Sequence, residues 1–439
     1  MSEAKKQVTI AVSAALFDAG EVTRSLEIVK GVRDGTPEGY SVRIIFLSNG
    51  GKFEQRILDN GFEVYHTAPQ LEGVGFYNDL KPDGQNFIGS EKLCKELLEG
   101  EISALQDCRP DLVLYGFWPF ASLARRMVRP QIPGVCFLPL PLERNLYGSS
   151  LMKDVPDQIK PLTYLPEGLR CAIMRALPAE LKLKAPILQQ KKILNAAQQC
   201  GWNGSNLNNL FDLLKSDLTL VNDLEDYYKG MRIPPDYVIT GPLYSQPAEG
   251  EQPDAGIREV FKRQDGKCNL FCTMGSSGRK ELLAEAVSAV ASLPEERFHA
   301  VILAPDSVCP MEELAPIVAG KSNIYMTNRF VPAKLVNRMA DIVLCHGGQG
   351  TVQTAMASST PLVGVAMQPE QQINLDNVVG QGAGIRIPQT RWNRNNIISA
   401  INKVTANPGF RRNAERLAQS MASVDGKRKS AEIIWKFIH

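Results

Sequence analysis

Residues 340–357 read Ala340-Asp341-Ile342-Val343-Leu344-Cys345-His346-Gly347-Gly348-Gln349-Gly350-Thr351-Val352-Gln353-Thr354-Ala355-Met356-Ala357. A buried-strand pattern ends at Cys345. His346 and a turn rich in glycine (Gly347, Gly348, Gly350) follow, and a helix opens near Thr351 with an apolar face at Val352, Ala355 and Met356. A glycine turn at a helix N-terminus makes an anion site. Its free N–H groups point outward, the dipole adds about half a positive charge, and the absence of side chains lets phosphate oxygens approach the backbone. His346 can add a ring N–H to a diphosphate, so no metal is required. Taken alone, the same residues also read as a tight turn beside a buried histidine.

The same strand-then-helix rhythm runs outward in both directions. Val8–Ser13, Val42–Leu47, Leu112–Tyr115, Val135–Leu138 and Leu218–Val221 are strand-length apolar runs, and Val22, Leu26 and Val29 share one helical face after the first. A second series holds Asn269–Thr273, Ala300–Leu303, Ile324–Thr327, Ile342–Cys345 and Leu362–Val365, with a helix over Asn413–Met421. Alternation of this kind predicts parallel sheets covered by helices on both faces. The rhythm breaks between about Leu151 and Asn206, an irregular helical insertion of the sort that shapes pockets. Gly241–Gly256 is dense in Gly, Pro and acidic residues and reads as a linker. The expected domains are therefore 1–240, a linker at 241–256, a second domain at 257–422, and 423–439 as a last helix crossing back to the first domain.

With 439 residues, 44% hydrophobic and 22% charged, the chain suits two globular domains. A formal net charge of +2 with no strongly basic half argues against nucleic acid. No apolar run approaches the roughly 18 residues of a membrane span. The N-terminal stretch reads as a polar lead into a strand, so no signal peptide and no stable membrane insertion are expected. Nine scattered cysteines suggest reduced thiols in a cytoplasmic protein. The acidic run Asn222–Asp226 follows a strand directly and reads as an ordinary loop rather than a metal site.

Phe330-Val331-Pro332 precedes the glycine turn, and Pro369-Glu370-Gln371-Gln372-Ile373-Asn374 and Gly380–Gly384 follow it. This ordered set resembles the nucleotide-sugar motif of glycosyltransferases with two facing Rossmann-like domains and a central cleft (the GT-B fold). More narrowly, it is similar to the family 1 group that includes UDP-glycosyltransferases and macrolide glycosyltransferases. The resemblance is strong over 330–388 and weak in the N-terminal half. It implies an inverting sugar transfer, a C-terminal donor domain and an N-terminal acceptor domain. The co-substrate would be a nucleotide-diphosphate sugar, with no metal and no other cofactor. Val331 would flank the base. Gly275 and Ser276, His346, Gly347, Gly348, Gln349, Gly350 and Thr351 would meet the diphosphate, and Glu370 and Gln371 the sugar hydroxyls. Phe17, Trp118, Phe120 and Tyr147 would line the pocket of a small, apolar or aromatic acceptor.

Three departures stand out. Thr354 occupies the place where the family often has a ribose-binding Glu, so a UDP-sugar is the default donor and a dTDP-sugar stays open beside it. Glu21 stands where the catalytic His is expected, and Gly116 where its partner Asp is expected. Either Glu21 or Asp18 serves as base, or the acceptor is already acidic, or this half binds without catalysing. A non-catalytic nucleotide-sugar-binding protein, and an epimerase or hydrolase on the same fold, are the alternatives. Acceptor, sugar and oligomeric state are not legible.

Overall fold

In a computed structural model describing residues 5–248, 250–261, 265–275 and 278–439, the apolar runs form two parallel sheets. The first contains β1 (Lys6–Ser13), β2 (Tyr40–Ser48), β3 (Glu63–His66), β4 (Leu112–Tyr115), β5 (Gly134–Leu138), β6 (Leu218–Val221) and β7 (Tyr237–Ile239), in the order β3-β2-β1-β4-β5-β6-β7. The second contains β8 (Cys268–Thr273), β9 (Phe298–Leu303), β10 (Ile324–Thr327), β11 (Ile342–Cys345), β12 (Leu362–Gly364) and β13 (Gly384–Arg386), ordered β10-β9-β8-β11-β12-β13. Central strands such as β4 and β11 are buried at every residue, as two-sided burial in a parallel sheet requires. The doubly wound α/β class read from the sequence is the one observed.

Three edge strands, β3, β7 and β13, were not read from the sequence: β3 and β13 carry no continuous apolar run, and that of β7 is only three residues long. Each is three or four residues long, and each is only partly buried. The glycine-turn helix spans Gln349–Ala357, so it starts two residues before Thr351, with Gly348 as its N-cap. The helix Ala255–Val260 begins inside the stretch read as linker, capped by the Asp254 side chain. The last helix, Gly426–Ile438, packs on the helix Ala19–Asp34. Trp435 Nε1 donates to the Val32 carbonyl at 2.9 Å, and Ala431, Ile434 and Trp435 enter the core of the first sheet.

Strand order places the site. In each sheet the winding reverses once, between β1 and β4 and between β8 and β11, and loops at the C-terminal ends of those strands open a crevice. The four loops concerned carry Asp18, Gly116, Gly275 and His346, respectively. The insertion after β5 is tied to the second domain by buried polar contacts. Arg386 pairs with Asp154, with Asp157 at 2.8 Å and with Asp376 at 2.6 Å. Arg170 also grips Asp154 at 2.7 Å, and Gln372 accepts from the Asp157 backbone N–H at 3.1 Å.

Candidate active site

The turn after β11 is held by packing and by one asparagine. Gly347 has φ +81°, and a Cβ there would press on the Gln371 carbonyl and the Leu375 side chain. Asn374 donates to the Gly347 carbonyl at 3.1 Å and to Glu370 Oε1 at 2.6 Å. The helix Pro369–Gly380 thus fixes both the turn and the Glu370 carboxylate. Asn374 closes the motif Pro369–Asn374 in the sequence, but its part as the clip between the two was not foreseen.

His346 is buried between two glycines. A Cβ at Gly275 or at Gly348 would collide with its ring. Burial pushes its pKa down to about 4, so the ring is neutral at pH 7. Its Nδ1 is buried without a hydrogen-bond partner among the described residues. A neutral imidazole carries one ring N–H, which can be donated to an anion. Ser276, expected to face the same anion, lies outside the described residues.

The remaining donor-side positions behave differently from one another. Gln349 is buried and its side chain faces the first domain, where its amide donates to the carbonyls of Pro139 at 2.6 Å and Asn222 at 3.0 Å. Its expected part as a donor ligand is therefore left to its backbone. Gln371 is 2% exposed and its carbonyl accepts from the Met367 N–H at 2.9 Å, leaving only its amide N–H groups for a sugar. Glu370 is half-buried at the cleft, and desolvation raises its pKa to about 7. Thr354 spends its hydroxyl on the Gly350 carbonyl at 2.9 Å and accepts from Asn337 at 3.0 Å. Gly350 and Thr351 line the cleft, and Val331 is buried beside Phe330, whose ring is 80% exposed at the rim. Phe330 opens the quoted motif but had been given no role.

On the facing side, Asp18 caps the helix Ala19–Asp34, its Oδ1 accepting from the Glu21 N–H at 2.9 Å. It is half-buried and lines the cleft. Glu21 is buried. Its Oε1 accepts from Arg24 Nη2 at 2.8 Å and from the Phe117 N–H at 3.3 Å, and burial raises its pKa. Asp18, Glu21 and Arg24 all act electrostatically on Glu370, so the four groups gather around one space.

That space is a cleft of about 1410 Å³. One end is the glycine turn with Gly275, Phe330 and Thr354. The other is an apolar chamber walled by Phe17, Trp118, Tyr147 and by Ile159, Met174 and Leu181 of the insertion. Phe17 and Phe120 both stack edge-on to Trp118, at 6.4 and 5.2 Å, and Phe120, the most deeply buried of these rings, also lines the cleft. Among the described residues no three potential metal ligands cluster. Asp223, in the acidic run, accepts from the Tyr228 hydroxyl at 2.6 Å, and burial raises its pKa to about 7. No described helix is long and apolar enough to cross a membrane.

A glycine turn and an apolar chamber face each other between two doubly wound domains, the arrangement of the GT-B glycosyltransferase fold. The chain is similar to family 1, macrolide-glycosyltransferase-like enzymes. Residues 313–438 match the family described as erythromycin biosynthesis protein CIII-like, C-terminal domain. A rhamnosyltransferase of PGL/p-HBAD biosynthesis from Mycobacterium bovis is 23% identical over 81% of this chain and 73% of its own length. The 4'-demethylrebeccamycin synthase of Lentzea aerocolonigenes is 27% identical over 50% of this chain and 49% of its own. Among solved structures, the glycosyltransferase of kitacinnamycin aligns with TM-score 0.65 at 17% identity, covering 99% of this chain and 100% of that one. A spinosyn rhamnosyltransferase complexed with thymidine diphosphate aligns with TM-score 0.56 at 15% identity, covering 98% of this chain and 100% of that one.

Proposed function

We propose that the chain transfers a sugar from a pyrimidine nucleoside diphosphate to a neutral hydroxyl on an apolar acceptor, with inversion. The observation that carries this reading is the single cleft in which the glycine turn faces the apolar chamber, with Asp18 and Glu370 between them. The turn from His346 to Thr351 holds the diphosphate, Glu370 and the Gln371 amide hold the sugar, and Phe330 stacks on the base. The acceptor oxygen bonds to the anomeric carbon as the bond from that carbon to the phosphate oxygen breaks. The acceptor proton passes to Asp18, and the leaving diphosphate is stabilised by the helix N-terminus.

Asp18 is favoured over Glu21 as base because it is the carboxylate of that loop with solvent access, whereas Glu21 is buried and paired. Three carboxylates around one arginine favour a neutral acceptor over an acidic one. Thr354 offers no carboxylate to a ribose, and the spinosyn enzyme binds thymidine diphosphate, so deoxythymidine is the preferred donor base and uridine the second. The test is to incubate dTDP-glucose and UDP-glucose with a panel of apolar alcohols and phenols and to read the product's anomeric configuration by NMR. A glycoside of inverted configuration is expected. Release of sugar without any glycoside would favour a hydrolase instead.

A further inference from the structure

The side chains of Glu21, Arg24 and Gln349, with the space over Gly116, form one connected set that the transfer chemistry above does not use. Arg24 is 7% exposed; its Nη2 donates to Glu21 and its Nη1 donates to Gln349 Oε1 at 3.0 Å, across the two domains. The Gln349 amide thereby accepts from Arg24 and donates to the carbonyls of Pro139 and Asn222, all on the opposite domain. Gln353 adds a bond to the same Asn222 carbonyl at 2.8 Å. Glu21 Oε2 is buried and unpartnered, and it lies where a Cβ at position 116 would have to go.

Gly116 is thus not merely the place where an acid has been lost. Its missing side chain is the room that the Glu21 carboxylate occupies. A side chain at 116 would evict Glu21, and Arg24 would lose the anion that orients it. A buried guanidinium without that partner would no longer hold a fixed hydrogen bond to Gln349.

We propose that Arg24 and Gln349 are positioning residues that set the diphosphate turn against the acceptor loop, with Glu21 and Gly116 as a reciprocal pair that keeps Arg24 in place. This rests on the proposed function, because what is positioned is the donor turn relative to Asp18. Gln349 is the first residue of the helix whose N-terminus receives the diphosphate, so a bond to its side chain transmits the position of one domain to the other. Glu21 is here an anchor for Arg24 and not the base.

The test is hydrogen exchange on the full chain, followed in the helices Ala19–Asp34 and Gln349–Ala357. The variants are Arg24→Met, Gly116→Ala, Gln349→Leu, Glu21→Gln and the double Arg24→Met/Gln349→Leu. Without ligand, the first three are expected to speed exchange at the facing ends of both helices by about ten- to a hundredfold. The double variant is expected to be no worse than either of its singles. Glu21→Gln removes the anion but keeps an acceptor for Arg24, and is expected to fall between the unsubstituted protein and Arg24→Met. Equal effects of Gly116→Ala and Arg24→Met support the reciprocal pair. The proposal is overturned if Gly116→Ala leaves exchange unchanged, if Arg24→Met loosens only its own helix, or if the double variant sums its singles.

Adding dTDP or UDP separates the two levels. Slowed exchange in Gln349–Ala357 of every variant, but in Ala19–Asp34 only where Arg24 is held, supports both. Nucleotide that slows neither helix in the unsubstituted protein removes the donor reading, and the unliganded comparison still decides the positioning set.

Discussion

Two ways of making a binding surface face each other across the cleft. The C-terminal side is built from backbone. Gly347 turns the chain through φ +81°, Gly275 and Gly348 leave room for one imidazole, and a helix opens with its N–H groups free. The N-terminal side is built from side chains. Phe17, Trp118 and Tyr147 join an insertion of short helices around an apolar chamber, and a carboxylate at its edge caps a helix. A backbone site tolerates few substitutions, because nothing else can replace a missing Cβ. An apolar wall can be assembled from many residue sets of similar volume. One side of the enzyme is therefore committed to a single chemical group, and the other is free to change its ligand.

The contrast can be broken most severely at Asp18. Asp18→Asn is expected to lower turnover by about 10²–10⁴-fold while leaving nucleoside diphosphate affinity unchanged. Steady-state rates set beside a dTDP titration would show it, and retained turnover would move the base elsewhere. Next in size is the backbone side. Gly348→Ala displaces the His346 ring and His346→Ala removes it. Each is expected to weaken diphosphate binding by about 1.5–3 kcal/mol, the worth of a hydrogen bond to a charged group. Neither is expected to alter binding of an apolar acceptor analogue alone.

A smaller effect sharpens the sugar contact. Ionised Glu370 accepts from sugar hydroxyls, and its pKa stands at about 7. Affinity for a dTDP-sugar, relative to dTDP itself, is therefore expected to rise as pH rises through 7. Its slope is expected to reach at most about tenfold per pH unit on the acid side, and to vanish in Glu370→Gln. An equal slope for dTDP would detach Glu370 from the sugar.

The smallest effect concerns stability. The His346 pKa is lowered from 6.5 to about 4, so the folded protein resists a proton that the unfolded chain accepts. Its contribution is complete above pH 6.5 and is lost as pH falls from there towards 4. The difference in Tm between the unsubstituted protein and His346→Asn is expected to shrink over that window. Glu370 and Asp223, both raised by burial, act in the opposite sense: their contributions are complete below the ordinary carboxylate range and are lost as pH rises through about 7. Comparison with the single variant cancels their part.

The same contrast explains what the sequence could reveal. Buried strands and the glycine turn announce themselves, since Leu112–Tyr115, Leu218–Val221 and Ile342–Cys345 appear with the bounds read from their apolar runs, and the edge strand Ile324–Thr327 does so because its own run is apolar. Edge strands such as Glu63–His66 and Gly384–Arg386 do not, because half of their surroundings are polar. Gln349 stood in the motif beside true turn residues, and nothing in its spacing says that its side chain points to the other domain. Arg24 carried no signal either, since a helical arginine three residues after a glutamate reads as an ordinary surface pair. Its partners are Gln349, 325 residues away, and Glu21, whose carboxylate fills the space over Gly116, and only the fold brings these residues together. The insertion between Leu151 and Asn206 was legible as irregular, but not its anchorage through Asp154 and Asp157 to Arg386.

On the proposed function, the turn from His346 to Thr351 binds the diphosphate of a pyrimidine nucleotide. Calorimetric titration of the protein and of His346→Ala with dTDP, UDP, GDP and ADP tests it most directly. Saturable binding of dTDP or UDP, in preference to GDP and ADP and weakened in the variant, is the expected result. Absence of binding by all four at millimolar concentration, or equal binding to the variant, would contradict it.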